Sequence, residues 1–282
     1  MKKYLSLIKF SHTIFAMPFA LIGFFLAAQQ YNFKWITLLY VVLCMVFARS
    51  AAMAFNRYVD RDIDKINERT AQVREIPNGT ITAENALLFV IVNSFLFITT
   101  TYFINSLCFA LSPLALITIL GYSYTKRFTA LCHLVLGLGL SLAPIGAYLA
   151  VSGIFNVIPI LFSFVVFSWV SGFDIIYSLQ DEEFDKTQKL HSIPVLIGKK
   201  NALNLVKFLH FITILLLSKI GNYPEFGKFY WIGFSIFAAL LIYQNTLVKH
   251  NDLSKVNLAF FTTNGIASVI LGVFVIIELL TN

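Results

Sequence analysis

Two groups of residues in this chain have the types and the spacing for chemistry. The first reads Asn56-Arg57-x-x-Asp60-x-x-x-Asp64, within "AFNRYVDRDIDKINERT". The second reads Asp174-x-x-Tyr177-x-x-x-Asp181-x-x-x-Asp185, within "GFDIIYSLQDEEFDKTQKLHSIP". A spacing of four puts Asn56, Asp60 and Asp64 on one face of a continuing helix, and likewise Tyr177, Asp181 and Asp185. Like charges so spaced repel, so a helix gains nothing from them; a divalent cation reverses that sign. Mg²⁺ takes oxygen ligands in octahedral geometry and is usually held by one or two carboxylates plus substrate phosphate. Two facing ladders would suit a pair of Mg²⁺ ions and a diphosphate. Arg69 and Arg74 follow the first ladder, and Lys126-Arg127 stand in "GYSYTKRFT". Arg offers a planar fork and Lys a point charge to the remaining phosphate oxygens. Asp62, Glu182 and Glu183 break the spacing and read as solvated charge.

The elements that must position these residues are membrane helices. Of 282 residues, 58% are hydrophobic and only 12% charged, and the mean hydropathy is +0.79, outside the range of soluble domains. Apolar runs fall at about 12–29, 36–57, 86–104, 107–124, 131–151, 157–179, 203–220, 228–248 and 257–279. Each approaches the length needed to cross a hydrocarbon layer of roughly 30 Å, where only helices satisfy the backbone within a segment. The expectation is an all-α membrane protein, about nine helices forming one domain over 1–282, with polar motif loops near 57–85 and 180–202. The first run follows Lys2, Lys3 and Lys9, but it is too long for a signal peptide and reads as a retained helix. Sixteen of the 21 Lys and Arg fall on the N-terminal side of such a bundle. The positive-inside rule makes that side cytoplasmic, opening the ladders to the cytoplasm of an inner-membrane protein. Basic residues spread over short loops exclude nucleic-acid binding as the reading of the +7 net charge, which topology and anionic lipid explain. Cys44, Cys108 and Cys132 show no pairing or metal spacing and read as packing residues.

A shift of 121 positions carries Asn56, Asp60 and Asp64 onto Tyr177, Asp181 and Asp185. That points to a duplicated half of about four helices with the ninth left over, and such repeats place sites at their interface. Asp174 and Arg49 lie two turns inside their helices from Asp181 and Asn56. Ionisable groups at that depth are functional candidates, either paired with each other or facing an anionic co-substrate. His191 is a candidate base in a polar loop, where solvation is the simpler reading; His12, His133, His210 and His250 share no spacing. A different class, a cation-coupled transporter using the intramembrane Asp and Arg, finds its best support in Gly137, Gly139, Pro144 and Gly146. Those residues also serve close helix packing.

The two aspartate motifs resemble those of the UbiA family of intramembrane prenyltransferases, and Tyr122 with Lys126 is similar to the family's third element, Y-x-x-x-K. The resemblance implies a helical bundle around a central cavity, with Mg²⁺ bridging the motif residues Asn56, Asp60, Asp64, Asp181 and Asp185 to a polyprenyl diphosphate. Asp60, Asp64, Asp181, Asp185 and Lys126 would then carry catalysis. Asn56, Arg57, Arg69, Arg74, Tyr122, Arg127 and Tyr177 would bind the diphosphate, and Arg49 with Asp174 an aromatic acceptor. The flanking segments look most like the 4-hydroxybenzoate polyprenyltransferase branch, especially relatives acting on 1,4-dihydroxy-6-naphthoate in a route to menaquinone. Arg57 departs from the Asp common in the enzymes of ubiquinone synthesis.

Overall fold

The computed structural model describes residues 2–8 and 15–281; Lys9 and His12 lie outside them. Helices run in the order α1 (Lys2–Leu7), α2 (Met17–Gln30), α3 (Trp35–Val59), α4 (Arg61–Ile66), α5 (Glu68–Ala71), α6 (Ala83–Ile104), α7 (Ser106–Thr125) and α8 (Cys132–Ser152). They continue with α9 (Val157–Ser178), α10 (Glu182–Thr187), α11 (Ile193–Ile220), α12 (Lys228–Leu247) and α13 (Asn264–Thr281). Eight of them, α3, α6 to α9 and α11 to α13, are long and apolar enough to cross a membrane. The shorter apolar α2, of 14 residues, completes the nine segments read from the sequence. The chain is a multi-pass integral membrane protein.

α9 is the central element, packed along α8 on one side and α11 on the other. Small residues let backbones approach where no hydrophobic force drives helices together. A Cβ on Gly23 would stand 2.0 Å from the Pro144 carbonyl oxygen, and one on Gly137 would stand 2.3 Å from Ser171 Oγ. α8 runs unbroken through Pro144. Of the residues that suggested a transporter's broken helix, Pro144 therefore fastens α8 to α2 and Gly137 fastens it to α9, while Gly139 faces Ile119 of α7. Trp169, Phe19, Phe162 and Phe237 fill the core. Two of its large polar side chains find partners inside the bundle, as lipid favours: Trp169 Nε1 donates to Asn264 Oδ1 at 2.9 Å, and Tyr230 donates to the Leu217 carbonyl at 2.6 Å.

The repeat appears in the backbone. The chain bends at the middle residue of each ladder: Asp60, which caps the end of α3, lies at φ −89°, ψ 3°, and Asp181, which closes the 3₁₀ turn after α9, lies at φ −101°, ψ 3°. The expected continuing helices are thus interrupted, α3 giving way to α4 and α9 to a 3₁₀ turn and α10. The second motif loop is shorter than expected, because α11 begins at Ile193. Gly198 turns a corner inside α11 at φ 76°, ψ 158°, a region open essentially to glycine alone.

Candidate active site

Both ladders lie where helices end on one side of the bundle, and the cations assigned to phosphate are already among them. Asp60 is buried. It accepts from Arg127 Nη1 at 2.9 Å and from Asn56 Nδ2 at 3.1 Å, and Lys126 Nζ stands 3.4 Å away. These cations come from the end of α7, so Asp60 ties α7 to α3. Asp64, also buried, pairs with Arg74 and its carbonyl accepts from Thr70 Oγ1 at 2.9 Å. Asp181 joins the two ladders: the Arg69 fork grips both its oxygens, and Arg69 Nη1 donates to the Tyr177 hydroxyl at 3.0 Å. Burial alone would lower the Arg69 pKa; Asp181 and Tyr177 outweigh it and hold the guanidinium above its ordinary value. Asp185 is buried with Lys126 and Asp181 within electrostatic reach.

Deeper in the bundle, Tyr122 lies within electrostatic reach of Asp174, Asp60 and Arg57. Arg57 is buried near Arg74, Asp64 and Glu75. Arg49 does not pair with Asp174: its Nε is buried without a hydrogen-bond partner, and Asp174 Oδ2 instead faces His133 Nδ1 at 2.7 Å. His133 was missed because its partner is 41 positions away. The available signal was depth, since a histidine and an aspartate within apolar segments each need a partner. Asn67 was missed too; it caps α5 by accepting from the Arg69 backbone at 3.0 Å and reaches Asp181 at 3.5 Å.

Asp62 and Glu183 are exposed, as read. Glu182 corrects the reading. It is buried and bound by Lys186 at 2.5 Å and Lys199 at 3.4 Å, because the Gly198 corner brings Lys199 over it. His191 is exposed, and its backbone donates to the Lys126 carbonyl at 2.7 Å.

Among the described residues, no three His, Cys, Asp or Glu side chains converge closely enough to hold a metal unaided. The donor set still fits Mg²⁺, which completes its octahedron with phosphate and water around one or two carboxylates. Carboxylates on two opposed ladders, each kept near cations, suit a ligand that brings phosphate and metal together.

Fold and site together describe a membrane helical bundle with two aspartate motifs at one end and basic residues interleaved among them. The sequence model of the UbiA prenyltransferase family matches residues 16–266, and the chain belongs to that family; it is a prenyltransferase. It is 32% identical over 241 residues to the 4-hydroxybenzoate octaprenyltransferase of Vibrio parahaemolyticus, covering 84% of this chain and 83% of that one. The apo structure of a UbiA homolog from Aeropyrum pernix superposes with a TM-score of 0.85 at 29% identity, over 95% of this chain and 98% of that one. A UbiA homolog from Archaeoglobus fulgidus, solved bound to GPP and Mg²⁺, shares the fold at a TM-score of 0.75 and 22% identity, over 98% of this chain and 99% of that one.

Proposed function

We propose that the protein catalyses Mg²⁺-dependent transfer of a polyprenyl group from its diphosphate to the ring of a hydroxyaromatic acid, in quinone biosynthesis. The observation that carries this reading is the paired charge network: Asp60, Asp64 and Asp181 each hold Lys or Arg side chains from neighbouring elements. With a diphosphate and its metal bound, the carboxylates would hold the metal and the cations the phosphate oxygens. Asn56, Asp60, Asp64, Asp181 and Asp185 would hold Mg²⁺, which when bound neutralises the charge growing on the leaving diphosphate. Lys126, Arg127, Arg69 and Arg74 act on that same charge, with Arg57, Tyr122 and Tyr177 beside them. Arg49, with an unpartnered buried nitrogen, receives the acceptor's carboxylate. The bundle's apolar wall excludes water that would quench an allylic cation.

The names of the curated relatives support 4-hydroxybenzoate as the acceptor and thus ubiquinone synthesis. Arg57, in place of the Asp common in the enzymes of ubiquinone synthesis, weakens that assignment, and the resemblance of the flanking segments to enzymes of the menaquinone route supports 1,4-dihydroxy-6-naphthoate as the second reading. The positive-inside rule supports a site opening on the cytoplasmic side of the inner membrane. The test is purified protein in detergent with Mg²⁺, polyprenyl diphosphate and acceptor. Diphosphate release that needs both metal and acceptor supports this reading; no release under any condition contradicts it.

A further inference from the structure

The prenyl-transfer reading leaves open what removes the ring proton, and a buried histidine bears on it. His133 sits in the first turn of α8, buried among membrane helices. Its Nδ1 lies 2.7 Å from Asp174 Oδ2 and its Nε2 lies 3.5 Å from Ser178 Oγ. Ser178 has a single hydroxyl proton, given to the Ile175 carbonyl at 2.9 Å, so towards His133 it can only accept. The imidazole is therefore fixed from both nitrogens, with acceptors on each side. Asp174 is held differently. Only Oδ2 has a hydrogen-bond partner among the described residues, and the side chain keeps 21% of its surface exposed. Asp174 lies seven residues before Asp181, two turns along the face that carries the second ladder, with Tyr122 within electrostatic reach. A purely structural ion pair in lipid would be expected to close off both oxygens, because an exposed half-satisfied carboxylate is expensive there.

We propose, resting on the prenyl-transfer reading, that Asp174 Oδ1 takes the ring proton of the acceptor and that His133 is the positioning residue for Asp174. As the bond from the allylic carbon to the diphosphate oxygen breaks, its electron pair leaves with the diphosphate. The ring carbon bonds to the allylic carbon, which leaves one hydrogen too many on that ring carbon. Asp174 Oδ1 accepts this hydrogen as a proton, and the C–H electron pair restores the aromatic ring. His133 occupies Oδ2, which turns Oδ1 to the substrate.

The test compares His133→Leu, His133→Gln and His133→Asn with the parent enzyme, measuring kcat and both KM values by product mass. An Asn amide places a donor close to the position of Nδ1, whereas a Gln amide reaches towards the position of Nε2. Loss of kcat by roughly 10–100-fold is expected for Leu and Gln, the range for residues that orient a reactive group. The Asn variant should recover most of it, and KM for the polyprenyl diphosphate should stay within twofold throughout. Parent-like kcat in His133→Leu, or equal losses in Leu and Asn, would overturn this inference alone. A parent that prenylates no acceptor would overturn the underlying reading and this inference with it.

Discussion

Replacing Asp60 by Asn keeps the shape of the side chain and removes only its charge. In the folded protein that carboxylate is 3% exposed and faces Arg127 Nη1 at 2.9 Å and Lys126 Nζ at 3.4 Å. Removing one partner of a buried ion pair costs about 3–5 kcal/mol, since the other charge is left without compensation. Here the stranded cations keep 29% and 30% of their side-chain surface exposed, so water takes up part of the loss. The expected cost is about 2–3 kcal/mol, read from denaturant unfolding in detergent without ligand. Adding Arg127→Gln to Asp60→Asn should return part of that stability, because it removes one of the two cations that lose Asp60 as a partner. The two substitutions share a contact and should not add. Asp60→Asn within about 0.5 kcal/mol of the parent, or strict additivity in the double variant, would refute the view that the Asp60 carboxylate holds these cations.

Other substitutions test the remaining parts of the account. Gly198→Ala forces a side chain into a backbone region at φ 76°, which should cost about 1–3 kcal/mol and loosen the Lys199–Glu182 pair, as thermal unfolding and charge-reversal at Lys199 would show. A Cβ at Gly172 would stand 2.5 Å from His210 Nε2 in a buried site, so Gly172→Ala should destabilise by about 1–3 kcal/mol through overpacking. Arg49→Leu should raise KM for the aromatic acid roughly 10–100-fold, the worth of a charged hydrogen bond, while KM for the diphosphate is unchanged. Chelation of divalent metal should abolish turnover, and added Mg²⁺ should restore it, measured as diphosphate release.

The ladders and the nine apolar segments were legible because both are local patterns: charge every fourth residue, and polar breaks between runs long enough to cross a membrane. The repeat was legible as well, since the offset between the ladders also relates the two helices that carry them. What was not legible depends on contacts made across the bundle. The bends at Asp60 and Asp181 leave no mark in the spacing, and the backbone bond from Asp64 to the Asp60 carbonyl, at 2.8 Å, survives the bend. Glu182 reads as solvated in isolation, and only the corner at Gly198 brings Lys199 onto it. The pairing of Asp174 was open between Arg49 and substrate, and a histidine on another helix takes one of its oxygens. The four cations expected to meet phosphate stood out by type, but the carboxylates they pair with did not.

The most direct measurement offers the purified protein Mg²⁺, a polyprenyl diphosphate and an equal mixture of 4-hydroxybenzoate and 1,4-dihydroxy-6-naphthoate, followed by mass spectrometry of the products. The account predicts that one acid gains the prenyl mass on a ring carbon, and that Asp60→Ala, with its ladder broken, forms none of that product. Absence of any prenylated acid, or equal yields from parent and Asp60→Ala, would contradict it.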